Sequence, residues 1–306
     1  MKKKCLLFLL IINTGLLSAQ VSSNKNSFSI YEDTLRVLGK AITNDTIEDN
    51  RVKANYSFIK TLVSSLKQKG SFAYPFDSLT NTVSIQRSED NKFRIFTWFV
   101  MSDDGSFRFY GALQMNNPDK LELYPFTDNF AKMETPEDST LTPSKWYGAV
   151  YYSIIPVNGT KDIKPYYTLL GWKGTSHKST KKVIDVLYFD KGKPVFGLPV
   201  FFDKEKEKDG KIKKRVVFSY TSEVSMLLRY EKEKGYIVFD HLVPPNEKLR
   251  NMPSLYGPDL TYDAYKFKNG RWYLQDNVDL KNLPNGNEED FVNPKSVIRS
   301  QVMEEN

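Results

Sequence analysis

Along this chain the spacing of hydrophobic residues changes once. Before residue 80 they recur every three or four positions, over Thr34–Ile42 and Val52–Leu66, which predicts two helices. In the second, Val52, Tyr56, Ile59, Val63 and Leu66 fall on one stripe, as in a helix lying on a sheet. Gly70 follows where a C-terminal cap belongs.

From Val83 the period becomes two. Phe93, Ile95, Phe99 and Met101 alternate with Arg94, Phe96, Trp98 and Val100. A second run, Phe107 to Met115, follows Asp104-Gly105, and such a pair between alternating runs predicts a hairpin. Thr127–Lys145 is polar and aperiodic with Pro136 and Pro143, so it reads as a long loop joining two sheets. Strands are then expected at Tyr147–Val157, Tyr166–Trp172, Lys182–Phe189, Val195–Phe202, Arg215–Tyr220, Val224–Tyr230 and Tyr236–Asp240. Asn269-Gly270 marks a last hairpin between Ala264–Lys268 and Arg271–Leu274.

About a dozen short strands must close, stack or be covered to hide their edges. The fold class is therefore α+β, mostly β: a short helical N-terminus packed on a large antiparallel meander, either a sandwich or a closed barrel-like sheet. A β-propeller is the alternative, but its blade-like turn, Ser88–Phe93, occurs only once. The expected divisions are a signal peptide (1–20), a helical segment (21–80), an antiparallel β domain (81–276) and a polar tail (277–306).

Composition sharpens the compartment. Lys2, Lys3 and Lys4 precede an apolar stretch from Cys5 to Leu17, closed by Ser18, Ala19 and Gln20, the order of a secretory signal peptide. The stretch is shorter than the roughly 20 residues a membrane span needs. The 306 residues carry a formal charge of +7. Three of those charges sit in the signal, and seven bases against three acids in Lys204–Arg215 account for the other four. That segment reads as a solvated hairpin extension. The remainder is neutral, which argues against a nucleic-acid partner. The single cysteine, Cys5, lies in the signal, so the mature chain has neither disulfides nor thiolate chemistry. The expectation is an exported protein, periplasmic or extracellular, without a transmembrane segment.

Several phrases carry a family likeness. Tyr74–Leu79, Lys92–Trp98, Trp146–Tyr152, Tyr166–Trp172, Val238–Pro244 and Tyr256–Asp259, in this order, resemble a family of uncharacterised exported proteins of Bacteroidota-type bacteria. The resemblance covers about Tyr74 to Trp272. It implies export and a single architecture, and it brings no catalytic residues.

Catalytic signatures are sparse. His-Glu-x-x-His, Gly-x-Ser-x-Gly and phosphate-loop patterns are absent, and no cofactor or metal is implied. Ser64-x-x-Lys67 and Ser179-x-x-Lys182 match a fragment of penicillin-recognising enzymes without its companion motifs. The better catalytic candidates come late: Asp240 and His241 end a β run, Pro244-Pro245 follows, and Tyr256, Asp259 and Asp263 lie beyond. A histidine among carboxylates suits acid–base work. The simpler alternative is that Asp240 and His241 satisfy backbone groups at a strand end. His177 falls in a hairpin loop. For ligand binding, the aromatic excess (14%) points to Trp146, Tyr151, Tyr166, Trp172 and Tyr256, whose flat faces suit a glycan or an envelope protein. An ordinary antiparallel core uses the same residues across strands. Two functions follow: an exported, non-catalytic binding or cell-envelope-associated protein, or a hydrolase of envelope or extracellular polymers working through Asp240, His241, Asp259 and Asp263.

Overall fold

The computed structural model describes residues 27–203 and 212–279. The expected signal peptide, the core of the charged hairpin and nearly all of the polar tail lie outside these residues. The chain divides into two compact units. Of the described residues, one unit holds those up to Ser84 together with Gln114–Leu123, and the other holds Ile85–Leu113 and those from Tyr124 on.

The first unit is helical. Helix α1 covers 27–44 and α2 covers Glu48–Leu66. Phe28, Leu35 and Ile42 recur every seven residues on α1 and are its buried stripe. Phe28 stacks on Tyr74 at 4.7 Å. The Glu32 carboxylate accepts bonds from the Tyr74 hydroxyl and from the backbone N and hydroxyl of Ser78. These contacts tie α1 to the two short 3₁₀ turns that follow α2. On α2 the buried face is not the expected stripe. It runs through Arg51, Ala54, Asn55, Phe58, Leu62, Ser65 and Leu66, whereas Tyr56 is 57% exposed. Hydropathy misplaces the face because three of its members are polar. Two of them satisfy themselves locally: Arg51 donates to the Asp45 carbonyl at 2.8 Å, and Ser65 donates to the Leu62 carbonyl at 2.7 Å.

Three sheets account for the strands among the described residues. The first has the order β1–β2–β3–β4, from Ser84–Arg87, Phe93–Met101, Phe107–Met115 and Leu123–Thr127. Its central hairpin turns at Asp104-Gly105, where Asp104 accepts a bond from the Ser106 backbone. The second has the order β10–β7–β6–β5, from β5 (Val150–Val157), β6 (Tyr166–Gly174), β7 (Ser179–Asp190) and β10 (Val216–Thr221). In it β8 (Lys193–Phe196) also pairs with β7. The third has the order β11–β12–β13–β14–β9, from β9 (Phe201–Phe202), β11 (Leu228–Glu231), β12 (Tyr236–Val243), β13 (Gly257–Lys268) and β14 (Arg271–Gln275). Its pairs are antiparallel except β14–β9. The run expected as one strand at Val195–Phe202 is thus two strands in different sheets. Gly197, at φ 90°, and Pro199 break it between them.

The second sheet is a middle layer. Tyr166, Thr168 and Leu170 of β6 face the third sheet, where Trp272 donates to Thr168 at 3.1 Å and Tyr166 donates to the Gly270 carbonyl at 2.9 Å. Tyr167 faces the first sheet, with its ring 4.7 Å from Phe93. Every residue of β6 is buried, as a strand covered on both faces must be. The fold is therefore α+β and mostly β. Its sheets are layered like a sandwich, with no closed barrel and no radial blades among the described residues. No described helix is long and apolar enough to cross a membrane.

Arg215 and Lys173 are both buried between these layers. Arg215, expected in a solvated hairpin, is inaccessible to solvent and pairs at 2.8 Å with equally buried Asp185. The register that sets Val216 opposite Ile184 places residue 215 directly across from residue 185. Asp185 also accepts bonds from the Tyr151 hydroxyl and the Val186 backbone, each at 2.8 Å. Lys173 donates to the Gly148 carbonyl at 2.9 Å and lies 4.3 Å and 4.5 Å from the ring centres of Phe109 and Phe130.

Candidate functional site

The aromatic residues expected to bind a ligand belong to this interior. Trp146, Tyr151, Tyr166 and Trp172 are all buried. The Trp146 indole donates to the Tyr151 hydroxyl at 3.0 Å, and Trp172 packs against Phe99 and Phe107. They provide cross-strand packing and no exposed face for a sugar ring. Tyr256, at the foot of β13, is half-buried and donates its hydroxyl to the Arg250 carbonyl. The two Ser-x-x-Lys matches are also resolved. Ser64 and Lys67 are exposed at the end of α2, and Ser179 and Lys182 lie three apart on a strand, so they point to opposite faces.

The late carboxylates divide. Asp240 accepts a bond from the Leu227 backbone at 2.7 Å, so it caps the entry to β11. His241 turns to Asp263, with its Nδ1 2.7 Å from an Asp263 oxygen. The other Asp263 oxygen accepts from the Asn277 backbone at 3.0 Å. Asp263 is nearly inaccessible while the His241 side chain is 45% exposed. This is a histidine oriented by a buried carboxylate, with nearly half of its side chain open to solvent.

A bulge makes this arrangement possible. Asp240 pairs with Tyr262 and Leu242 pairs with Pro258, so two steps on β12 face four on β13. The surplus is absorbed around Leu260, which takes φ 71° and is 87% exposed. Asp259 closes the bulge by accepting bonds from the backbone and the hydroxyl of Thr261, and these hold its pKa below the usual carboxylate range. Asp259 therefore faces His241 only through space. Its charge, with those of Asp263 and Asp276, helps raise the His241 pKa, the hydrogen bond to Asp263 being the largest cause. Among the described residues no three His, Cys, Asp or Glu side chains are grouped to hold a metal ion.

The raised pKa has a signed consequence. Between the unfolded and folded pKa of His241, the folded protein holds a proton that the unfolded chain has lost. The ion pair then contributes fully below about pH 6.5, and its contribution fades as pH rises through the folded value. Solvent screening limits it to about 1 kcal/mol. In urea unfolding, the stability advantage of wild type over His241→Gln should shrink by about that much from pH 6 to 8.5, since groups titrating elsewhere act on both proteins. An unchanged pH profile in the variant would contradict the pairing.

Beside the dyad, two residues along β12, a cleft of about 600 Å³ opens. Val243, Pro244 and Pro245 form one side, and the 3₁₀ turns after β12 supply Leu249 and Leu255. Gly257 and Pro258, at the start of β13, complete this part of the lining. The opposite side carries His177 and Lys178 from the β6–β7 turn, and Thr221 and Glu223 from the end of β10. The Ser222 backbone donates to the Lys178 carbonyl at 3.1 Å, which holds these two segments together. His177 packs over Gly105, where even a methyl group would collide with the imidazole. The Pro-Pro pair flagged this region in the sequence. Lys178, Glu223, Leu249 and Leu255 gave no signal, because they come from three segments that only the sheet register brings together.

Comparisons with family models, curated proteins and solved structures found no match to this chain.

Proposed function

We propose that the protein is exported and works as a non-catalytic binding protein at or outside the cell envelope, holding its ligand in the cleft beside β12. The cleft carries this reading. Its volume falls within the range of small-molecule sites, and its lining is aliphatic with a few polar groups. The leader-like N-terminus and the resemblance to exported proteins support the compartment. Burial of Trp146, Tyr151, Tyr166 and Trp172 moves the expected binding surface away from an aromatic platform.

A filled cleft tests the reading. At Gly257 a Cβ would meet only Val224, at 4.0 Å, so Gly257→Phe introduces a ring at the foot of the cleft without a backbone clash. We expect at least one of octanoate, maltotriose and the tripeptide Leu-Ala-Leu to bind the wild-type protein in calorimetric titration. That probe should be recovered uncleaved, and its affinity should fall at least tenfold in Gly257→Phe. The melting temperature should barely move, as for most surface substitutions. If no probe distinguishes the two proteins, the cleft is not the binding site.

A second reading, a hydrolase of envelope or extracellular polymers, is favoured by the 2.7 Å His241–Asp263 pair with an accessible imidazole. In that case a probe would be recovered cleaved, and His241→Gln would end the cleavage while leaving the fold intact. Asp240 caps the entry to β11 through the Leu227 backbone.

A further inference from the structure

We infer that the cleft takes a short peptide with aliphatic side chains and both chain ends free. This rests on the cleft being the binding site proposed above, and three features of its lining narrow the ligand.

The first is charge. Lys178 and Glu223 stand on the same side, where pairing between β7 and β10 ends at Ser179 opposite Thr221. Among the described residues neither side chain forms an ion pair or a hydrogen bond. A cation and an anion that do not neutralise each other match a ligand carrying both signs. A simple anion such as a fatty acid would leave Glu223 uncompensated, and a neutral sugar would use neither.

The second is the missing donors. Pro244, Pro245 and Pro258 line the cleft and have no backbone N–H. At these three positions the main chain can accept but not donate, which suits a ligand that brings N–H groups, as a peptide backbone does. The third is the apolar surface. Val243, Leu249 and Leu255 give aliphatic walls, and His177 carries the only aromatic ring among the described lining residues. Branched aliphatic side chains fit such walls, whereas a sugar gains most from Tyr or Trp faces.

Four probes and four proteins decide it. Leu-Ala-Leu, its N-acetyl form, its C-terminal amide and octanoate are titrated into wild type, Glu223→Gln, Lys178→Gln and Gly257→Phe. The free tripeptide should bind wild type most tightly, with acetylation and amidation each weakening it roughly fivefold, as for the loss of one exposed ion pair. Glu223→Gln should erase the effect of acetylation alone, Lys178→Gln that of amidation alone, and Gly257→Phe should abolish binding of every form. If octanoate matches the free peptide, or blocked peptides bind equally well, and Gly257→Phe still abolishes binding, the cleft reading stands and the peptide inference falls. If the free tripeptide does not bind, the inference is overturned, and octanoate and maltotriose alone then judge the cleft.

Discussion

Replacing Asp185 with Ala should lower the stability of the folded protein by about 3–5 kcal/mol, the cost of leaving one member of a buried ion pair without the other. Arg215 would remain inaccessible, with its guanidinium facing the space the carboxylate had filled. The Tyr151 hydroxyl and the Val186 backbone N–H would each lose their acceptor in the same step. Urea unfolding at constant m-value reads this directly. Arg215→Met should cost a similar amount. The double variant Asp185→Leu/Arg215→Met should cost much less than the two singles together, since it leaves neither charge buried alone. A single-variant loss below about 1 kcal/mol would mean that solvent reaches the pair.

Lys173 should make the protein more stable as pH rises, the reverse of the His241 effect. Burial holds its pKa down to about 8, with Asp128, 3.7 Å away, opposing the shift only in part. In the unfolded chain a lysine keeps its proton to about pH 10.4. Between those values the unfolded state binds more protons, so stability climbs with pH, by up to roughly 3 kcal/mol across the window. Unfolding measured from pH 7.5 to 9.5 should show the lower part of that climb, and Lys173→Met should flatten it. The upper limit matters because burial raises the pKa values of Tyr147 and Tyr151, whose folded forms keep protons that the unfolded chain loses above about pH 10. A climb that persists in Lys173→Met would assign it to another group.

Much of this architecture was written locally. The Asp104-Gly105 and Asn269-Gly270 hairpins and the alternation of β2 and β3 need only neighbouring residues, so periodicity and turn chemistry found them. Where polar residues take buried positions, the same rules failed. Arg51, Asn55 and Ser65 hid the true face of α2, and Arg215 looked like one more base in a charged run. A signal for Arg215 did exist: Asp185 interrupts Val183-Ile184-Asp185-Val186-Leu187, and a lone acid in so apolar a strand requires a buried partner. At the candidate site, proximity of His241 to acids was legible. Which acid it meets was not, because a bulge near Leu260 chooses Asp263 over Asp240. The cleft was the least legible feature, since its two sides are far apart in sequence.

The middle layer also bears on the order in which the protein is made. Strands β5 to β7 and β10, which end at Thr221, leave the ribosome before β11 to β14. Until the last fifty or so described residues arrive, the side of β6 that carries Tyr166, Thr168 and Leu170 lacks most of the third sheet that covers it. Its closing partners, Gly270 and Trp272, are among the last described residues. A nascent chain stalled before the Asn269-Gly270 turn would present a sticky, aromatic-rich sheet to its neighbours. The β13–β14 hairpin thus brings the last described partners of β6, so a chain cut before it would leave the Tyr166 and Thr168 bonds unmade.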